Sequence, residues 1–415
     1  MMGTRPLSLR LSGAHLVWAL LIAATIPWRK GVYYEGGLDS VVLAKAVLSI
    51  VAMVLAMHLH GARPAHLGVP AAPVVLVVCY LAVTVVGGYA HQTLLPAAVV
   101  AVRVVILCVT VSLLYSTFGP TEMMRSLVHV IGTLVWCGTL TGLPSAAKGR
   151  LAGGVPPINP NELAFLASVC LFWLLARMLQ GLESTLDILT AGGYAAVVLL
   201  TGSRSALAAL CVAIVVMALR ATRLSRRSFG ILSFLAPTLA YVAFGTDLLS
   251  SVFLRGGERG ITTLSNRTIA WDAALTSHRD PWETWFGAGL AQKKIEVPGQ
   301  WWTTQLLDSS WISAIVQGGF VGAIIVAGLC LATIVRSMTA PPSAGPLWLG
   351  LIVYLCARAV LESGLFDSSV SFMVLLTTAL ATRAEWPSSG GEPTDLGERP
   401  VGAGAERVSA PSASR

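Results

Sequence analysis

The sequence predicts an all-α membrane protein, a polytopic bundle of about twelve transmembrane helices with one large extracytoplasmic loop. Hydrophobic residues make up 55% of the chain, charged residues only 12%, and the mean hydropathy is +0.74. Soluble domains are less apolar and more charged. The apolar runs, of roughly 15 to 25 residues, lack the strict alternation of barrel strands, so helices are expected to satisfy the backbone within the bilayer.

Twelve apolar runs are long enough to be predicted as spans. They cover residues 14–28, 41–58, 70–86, 94–115, 125–143, 163–180, 186–201, 204–219, 229–245, 309–335, 346–361 and 368–382. The first run resembles a signal peptide but is followed by a whole membrane domain, which predicts that it is retained. The membrane domain is therefore residues 1–382, and residues 383–415, poor in large apolar side chains, are predicted to be a disordered cytoplasmic tail.

Lysine and arginine in the short loops predict the orientation, because cytoplasmic loops hold the excess of these residues. An N-terminus inside places most loop arginines in the cytoplasm, namely Arg63, Arg125, Arg177, Arg220, Arg223, Arg226, Arg227, Arg336 and Arg383. Four basic residues oppose this count because the same orientation places them on the extracytoplasmic side: Arg29, Lys30, Lys148 and Arg150. Twelve spans then place both termini in the cytoplasm, and the protein in the cytoplasmic membrane.

The charge and cysteine patterns exclude several classes of function. The net charge of +8 is spread over loops and tail, which argues against nucleic-acid binding and fits attraction to anionic lipid headgroups. All seven cysteines lie in apolar runs without a CxxC spacing, and no DxD or His/Asp cluster indicates a divalent metal. We therefore expect neither a cofactor nor a metal ion.

The longest connection, about residues 246–308, is predicted to be the extracytoplasmic loop. Its five tryptophans argue for an ordered loop that packs on the membrane interface or on a sugar face; they are Trp271, Trp282, Trp285, Trp301 and Trp302. Residues 265–275 are predicted to form a short amphipathic helix, with Ile269, Trp271 and Leu275 as apolar contacts.

Short polar motifs gather on this same face of the membrane. Thr201-Gly202-Ser203-Arg204-Ser205-Ala206-Leu207 opens the eighth span, Asn159-Pro160-Asn161-Glu162-Leu163-Ala164 precedes the sixth, and Asn266-Arg267 with Trp271 precedes the turn Gly287-Ala288-Gly289-Leu290. Together they resemble the O-antigen ligase and polymerase family over roughly residues 150–380. Where that family has a His, a small polar residue, nine residues and Gly-x-x-Gly, this chain has Asp308, Ser309, nine residues and Gly319-Phe320-Val321-Gly322, so the His is an Asp.

The resemblance implies transfer of a glycan outside the cytoplasmic membrane, from a polyprenyl diphosphate carrier to an acceptor hydroxyl. The implied partners are a polyprenyl-diphosphate-linked oligosaccharide donor, a glycan or lipid-glycan acceptor, the lipid bilayer and envelope-assembly proteins. Polymerase and ligase are not separated by these residues, because both reactions require the same departure of a diphosphate.

Three residues are predicted to be catalytic. Arg204 and Arg267 would stabilise the leaving diphosphate through charge-assisted hydrogen bonds, and Asp308 would accept the proton of the acceptor hydroxyl. The alternatives are an interfacial anchor for Arg204, a solvated loop charge for Arg267 and a helix N-cap for Asp308.

Five further residues are predicted to contact substrate: Asn159, Asn161, Arg103, Arg358 and Glu362. Arg358 and Glu362 are four residues apart and could instead pair with each other as a structural salt bridge. Asn161 could cap the sixth span. Arg103 lies inside the fourth span, where a charge is functional or paired, so it would contact carrier phosphate or an unidentified carboxylate. Lys45, near a span end, is interpreted as snorkelling.

Two other classes of function stay open. A transporter or flippase of the lipid-linked saccharide would place its determinants near the midplane at broken helices, and only Gly87-Gly88 and Gly192-Gly193 suggest such breaks. A non-catalytic scaffold of a glycan-assembly complex would tolerate replacement of Arg204, Arg267 and Asp308.

Overall fold

The computed structural model describes residues 13–28, 39–63, 66–147, 149–221, 267–276, 280–297 and 303–382. In this part of the chain the protein is a bundle of helices with one small two-stranded sheet. The predicted ninth span (229–245), the predicted tail, Trp301 and Trp302 lie outside the described residues.

The N-terminal part of the bundle consists of four helices. These are α1 (Gly13–Thr25), α2 (Ser40–Gly61), α3 (Ala71–Ala90) and α4 (Leu94–Ala146). Helices α1, α2 and α4 pack against one another. Helix α4 joins the predicted fourth and fifth spans across a kink at Gly119, which has a φ of 74° and precedes Pro120. Proline accounts for the kink, since it cannot donate to the helical ladder.

The middle of the bundle contains α5 (Pro160–Leu179), α6 (Thr185–Thr201) and α7 (Arg204–Arg220). Helix α5 is the central helix, because its residues are buried on every face from Leu163 to Ala176. A helix that is apolar all round is stable only when other helices enclose it.

The loop region and the C-terminal part follow. They contain α8 (Arg267–Thr276), α9 (Pro281–Phe286), the antiparallel strands β1 (Lys294–Glu296) and β2 (Thr304–Leu306), α10 (Ser310–Thr339), α11 (Gly345–Arg358) and α12 (Val370–Ala381). Helix α8 confirms the predicted loop helix. Its buried residues are Ala270 and Ala274, whereas Leu275 is 58% exposed, so the predicted apolar contact of Leu275 is wrong.

Each of the eleven predicted spans that fall in described residues coincides with a helix. Five helices, α2, α3, α4, α5 and α10, are long and apolar enough to cross a membrane, and α1, α6, α11 and α12 are shorter apolar helices. The chain is thus a multi-pass α-helical membrane protein. The number of crossings stays a prediction.

Glycines let the loop region dock directly onto the bundle. Helix α10 is kinked at Gly319 (φ 61°), and the N–H groups of Ala288 and Gly289 donate to the carbonyls of Val316 and Gln317, at 2.9 and 3.1 Å. The kink exposes these carbonyls to the turn 287–290. A side chain on Gly87 of α3 would collide with the carbonyl of Phe286.

The two glycine pairs that suggested broken helices do not break them. Helix α3 runs through Gly87-Gly88 and α6 runs through Gly192-Gly193. Gly87 gives room to the loop backbone, and Gly193 gives room to the ring of Trp136. The prediction of breaks at these positions is wrong, because here glycine permits close packing and not an irregular backbone.

Replacing Gly319 by alanine should destabilise the protein by about 2 kcal/mol or more, because a Cβ there would meet the carbonyl of Trp285 and φ is positive. The matched control is Gly328→Ala in the same helix, where no atom lies within 4 Å of the added Cβ. That change should be neutral or stabilising. Thermal unfolding of both variants in detergent checks the expectation, which equal midpoints would contradict.

Candidate functional site

A cavity of about 750 Å³ lies at one end of the bundle. Its walls come from the end of α1, the N-terminal parts of α2, α4 and α10, Tyr80 of α3, the start of α5 with the segment that precedes it, strand β2, and the segment 362–371 that leads into α12. Six of the eight predicted site residues line it: Asp308, Asn159, Asn161, Arg103, Arg358 and Glu362. The ends of several helices therefore meet around one polar space.

The carboxylate of Glu362 is the centre of the hydrogen-bond network beside the cavity. Its Oε1 accepts from Asn161 Nδ2 at 2.7 Å, from Ser205 Oγ at 3.1 Å and from Arg267 Nη2 at 3.3 Å. These donors belong to α5, α7 and α8. One acidic oxygen thus joins three helices that are distant in the sequence.

The guanidinium of Arg267 lies between two carboxylates. Its Nη2 is 3.3 Å from Glu362 Oε1 and its Nε is 3.6 Å from Asp308 Oδ2. Arg267 is not among the described residues that line the cavity. It contacts the cavity through the two carboxylates, so its cationic charge is shared by two acidic groups.

Asp308 is not a helix cap. Ser309 is the N-cap of α10, and its hydroxyl accepts from Ile312 N. The Asp308 side chain is 41% exposed. Partial burial raises the pKa of Asp308 above its ordinary value, and the Arg267 charge works against this rise. An accessible carboxylate with a raised pKa is suited to accept a proton.

Arg358 and Glu362 do not form the predicted pair. Helix α11 ends at Arg358, and the two side chains bind different partners. The Arg358 residue is only 4% exposed; its Nη2 lies 2.9 Å from Glu162 Oε2, its Nη1 donates to Ser371 Oγ at 3.2 Å, and its guanidinium stacks on Phe165. Arg358 therefore joins α11 to α5 and α12.

The two asparagines line the cavity and also make structural hydrogen bonds. Asn159 caps α5 by accepting from the Asn161 N–H at 2.8 Å, so a cap at Asn161 is wrong. Asn161 instead accepts from Arg150 Nη2 at 2.9 Å through its Oδ1 and donates to Glu362. Arg150 also donates to the carbonyl of Thr201. The asparagine amide thus links a cation to a carboxylate.

The remaining predicted residue, Arg204, begins α7 and is not among the described residues that line the cavity. Its neighbour Ser205 contacts Glu362. The motif around Arg204 is therefore brought to the site through Ser205.

Several polar residues of the site were missed by the sequence analysis: Lys45, Arg150, Glu162, Ser205, Lys293 and Asp367. Arg150 carried a signal, since it opposed the count of cytoplasmic arginines. Glu162 and Ser205 lie inside the quoted motifs. Lys293 and Asp367 form an ion pair across the cavity wall, and no local pattern predicts it.

The Lys293 ammonium determines the charge state of Asp367. Burial acts to raise the pKa of Asp367, but the adjacent Lys293 and the Ser368 N–H hold it below its ordinary value. Among the residues that the structure describes, no three His, Cys, Asp or Glu side chains are grouped so that they could hold a metal ion.

Removing the partner of Arg358 should destabilise the bundle. Glu162→Gln leaves the Arg358 charge buried without a counterion, which we expect to lower the free energy of unfolding by about 3 kcal/mol. The matched control is Glu122→Gln, which removes an exposed pair with Arg125. This change should alter the free energy of unfolding by less than about 1 kcal/mol. Thermal unfolding in detergent measures both, and equal losses would contradict a buried structural pair.

Comparison with known proteins agrees with the motifs. Residues 189–327, about a third of the chain, match the family model for O-antigen ligase. The match covers Ser205, Arg267 and Asp308, together with most of α6, all of α7 and α10 up to residue 327. No curated protein matches the chain. The predicted resemblance is thereby confirmed over residues 189–327, which are similar to the O-antigen ligase family.

Proposed function

We propose that the protein is a membrane glycan transferase that moves a sugar chain from a polyprenyl diphosphate carrier to an acceptor hydroxyl. The observation that carries this proposal is the accessible carboxylate of Asp308 in the cavity wall. Asp308 contacts Arg267, and both residues lie in the segment that matches the O-antigen ligase model. A positioned base beside a polar cavity is what transfer to a hydroxyl requires.

In the proposed reaction the oxygen of the acceptor hydroxyl attacks the anomeric carbon, and Asp308 accepts the proton of that hydroxyl. The bond from that carbon to the diphosphate oxygen breaks, and the carrier leaves as polyprenyl diphosphate. The proton then passes from Asp308 to solvent. The raised pKa of Asp308 supports the role, since a base is most effective when its pKa approaches the working pH.

The charges around the cavity suit an anionic donor. The cations that line it are Lys45, Arg103, Arg150, Lys293 and Arg358, and the carboxylates are Glu162, Asp308, Glu362 and Asp367. A diphosphate adds negative charge, which cationic side chains stabilise most strongly where water is scarce. We propose that these side chains act without a metal ion, so that transfer continues in EDTA.

Arg267 supports the base. Its contacts with Asp308 and Glu362 favour a positioning role, in which the guanidinium orients both carboxylates and keeps Asp308 ionised. The direct contacts of Arg204 and Arg267 with the diphosphate stay predictions.

The position of the cavity supports the proposed orientation. The arginines predicted to be cytoplasmic that the structure describes, Arg63, Arg125, Arg177, Arg220 and Arg336, lie at the helix ends away from the cavity, or next to the kink of α4. We propose a cytoplasmic-membrane protein with cytoplasmic termini and an extracytoplasmic cavity. Arg150, which opposed the count, lies in the cavity and binds Asn161.

The first test is release of polyprenyl diphosphate from a lipid-linked oligosaccharide by the purified protein in proteoliposomes, with an acceptor and EDTA present. We expect release by the wild type and about 10²-fold less by Arg267→Ala, because the base loses its orientation and its neighbouring positive charge. Arg125→Ala, which removes an exposed arginine far from the cavity, is the control and should stay active.

The outcomes separate the classes of function. No release by the wild type, with the donor intact, would reject the transferase and favour the transporter or scaffold. Normal release by Arg267→Ala would reject the role of Arg267 alone.

Arg267→Ala should also shift the acidic limb of the pH profile to higher pH, since loss of the cation raises the pKa of Asp308 further.

Asp308 is tested by a second pair of variants. Asp308→Asn keeps the shape but cannot take up the proton, so transfer should fall by about 10²-fold or more at every pH. Asp308→His restores a base, and its activity should decline as the pH falls through about 6.5. The wild type should lose activity only at lower pH, when the Asp308 carboxylate becomes protonated. A fully active Asn variant would reject the base.

A further inference from the structure

Among the described residues, two cations of the cavity wall have neither an ion pair nor a hydrogen bond to a side chain. Arg358 and Lys293 each form an ion pair, and Arg150 donates to Asn161. Lys45 of α2 and Arg103 of α4 have no carboxylate within 4.0 Å among the described residues. Neither side chain is therefore held by a direct contact with a side chain in the described part of the protein.

The surroundings of Arg103 are those of an incomplete anion site. Its Nη2 reaches the carbonyl of Ala24 at 3.5 Å, the limit for a hydrogen bond, and its Nε is buried without a partner among the described residues. Lys45 is close enough for the two cations to repel each other. Like charges at such a depth are unfavourable unless an anion joins them.

The described carboxylates that attract these two cations are already engaged. Asp39 attracts Lys45 but caps α2 by accepting from Val42 N at 2.7 Å. Asp367 attracts Arg103 but is paired with Lys293. Neither completes the coordination of Lys45 and Arg103, which can therefore accept an anion from outside the chain.

The two cations lie deeper than the acidic residues at the cavity mouth. Asp308, Glu362 and Asn161 lie at helix ends. At 1.5 Å per residue, Lys45 is about 8 Å along α2 and Arg103 about 14 Å along α4. A lipid-linked saccharide has the matching order of groups, with its phosphates between an apolar chain and a polar sugar.

We propose that Lys45 and Arg103 form the diphosphate site for the lipid-linked donor, with its saccharide directed toward Asp308 and Glu362. This inference rests on the glycan-transferase function proposed above and names two residues outside the segment 189–327. Arg103 supplies the fork of donors and Lys45 the second charge. Both stabilise the leaving group as its charge increases.

The test measures binding of polyprenyl diphosphate, without a saccharide, to the full-length protein in phosphatidylcholine nanodiscs. Lys45→Met and Arg103→Met should each weaken binding about 10-fold, and the double variant about 100-fold, as expected for charge-assisted hydrogen bonds. Lys45→Arg should retain binding. Arg125→Met, the same change just after the kink of α4 at a residue that does not line the cavity, should have no effect.

A second readout is the donor KM in the transfer assay. It should rise in Lys45→Met while the pH dependence assigned to Asp308 stays unchanged, which general loss of structure would not produce. If Arg103→Met does not fold, as judged by thermal unfolding, Lys45→Met and Lys45→Arg decide the question.

Each contrary result has its own meaning. Unchanged binding in the double variant, with transfer by the wild type intact, would overturn this site and leave the transferase standing. Equal competition by phosphatidylglycerol in the nanodisc would identify a general site for anionic lipids and also overturn it. No transfer by a wild type that binds the probe would reject the transferase, and with it the donor role of the two cations.

Discussion

The side-chain carboxylate of Glu362 holds together the parts of the chain that enclose the cavity. Asn161, Ser205 and Arg267 donate to one of its oxygens, and the hydroxyl and N–H of Ser310 donate to its backbone carbonyl. A partly buried carboxylate is stable only when its hydrogen bonds are satisfied. The requirements of this one residue thus fix the relative positions of α5, α7, α8 and α10.

Backbone packing at glycines adds a second constraint. The turn 287–290 docks into the kink of α10, and Gly318 and Gly322 leave room for the ring of Tyr80 on α3. Groups this close cannot carry side chains, so the loop region is held at a defined place above the bundle. Asp308, which follows strand β2 and precedes α10, is positioned by the same contacts.

Paired carboxylates and unpaired cations lie in different parts of the described cavity wall. At its mouth the carboxylates share arginines, as Asp308 and Glu362 share Arg267, so that each keeps a defined direction. Deeper in the bundle Lys45 and Arg103 face one space without an acidic partner among the described residues. This division is the basis for the proposal that the acceptor hydroxyl and the anion bind at different places.

The sequence by itself determined the helical membrane fold, since apolar runs of bilayer length have few alternatives, and it identified Asp308, Glu362 and the asparagine motif as members of one site. It could not determine which charges pair. Arg358 and Glu362 are four residues apart but bind Glu162 and Arg267, which lie on helices distant in the sequence. Pairing between residues far apart in sequence depends on how helices pack, and only the tertiary structure decides it.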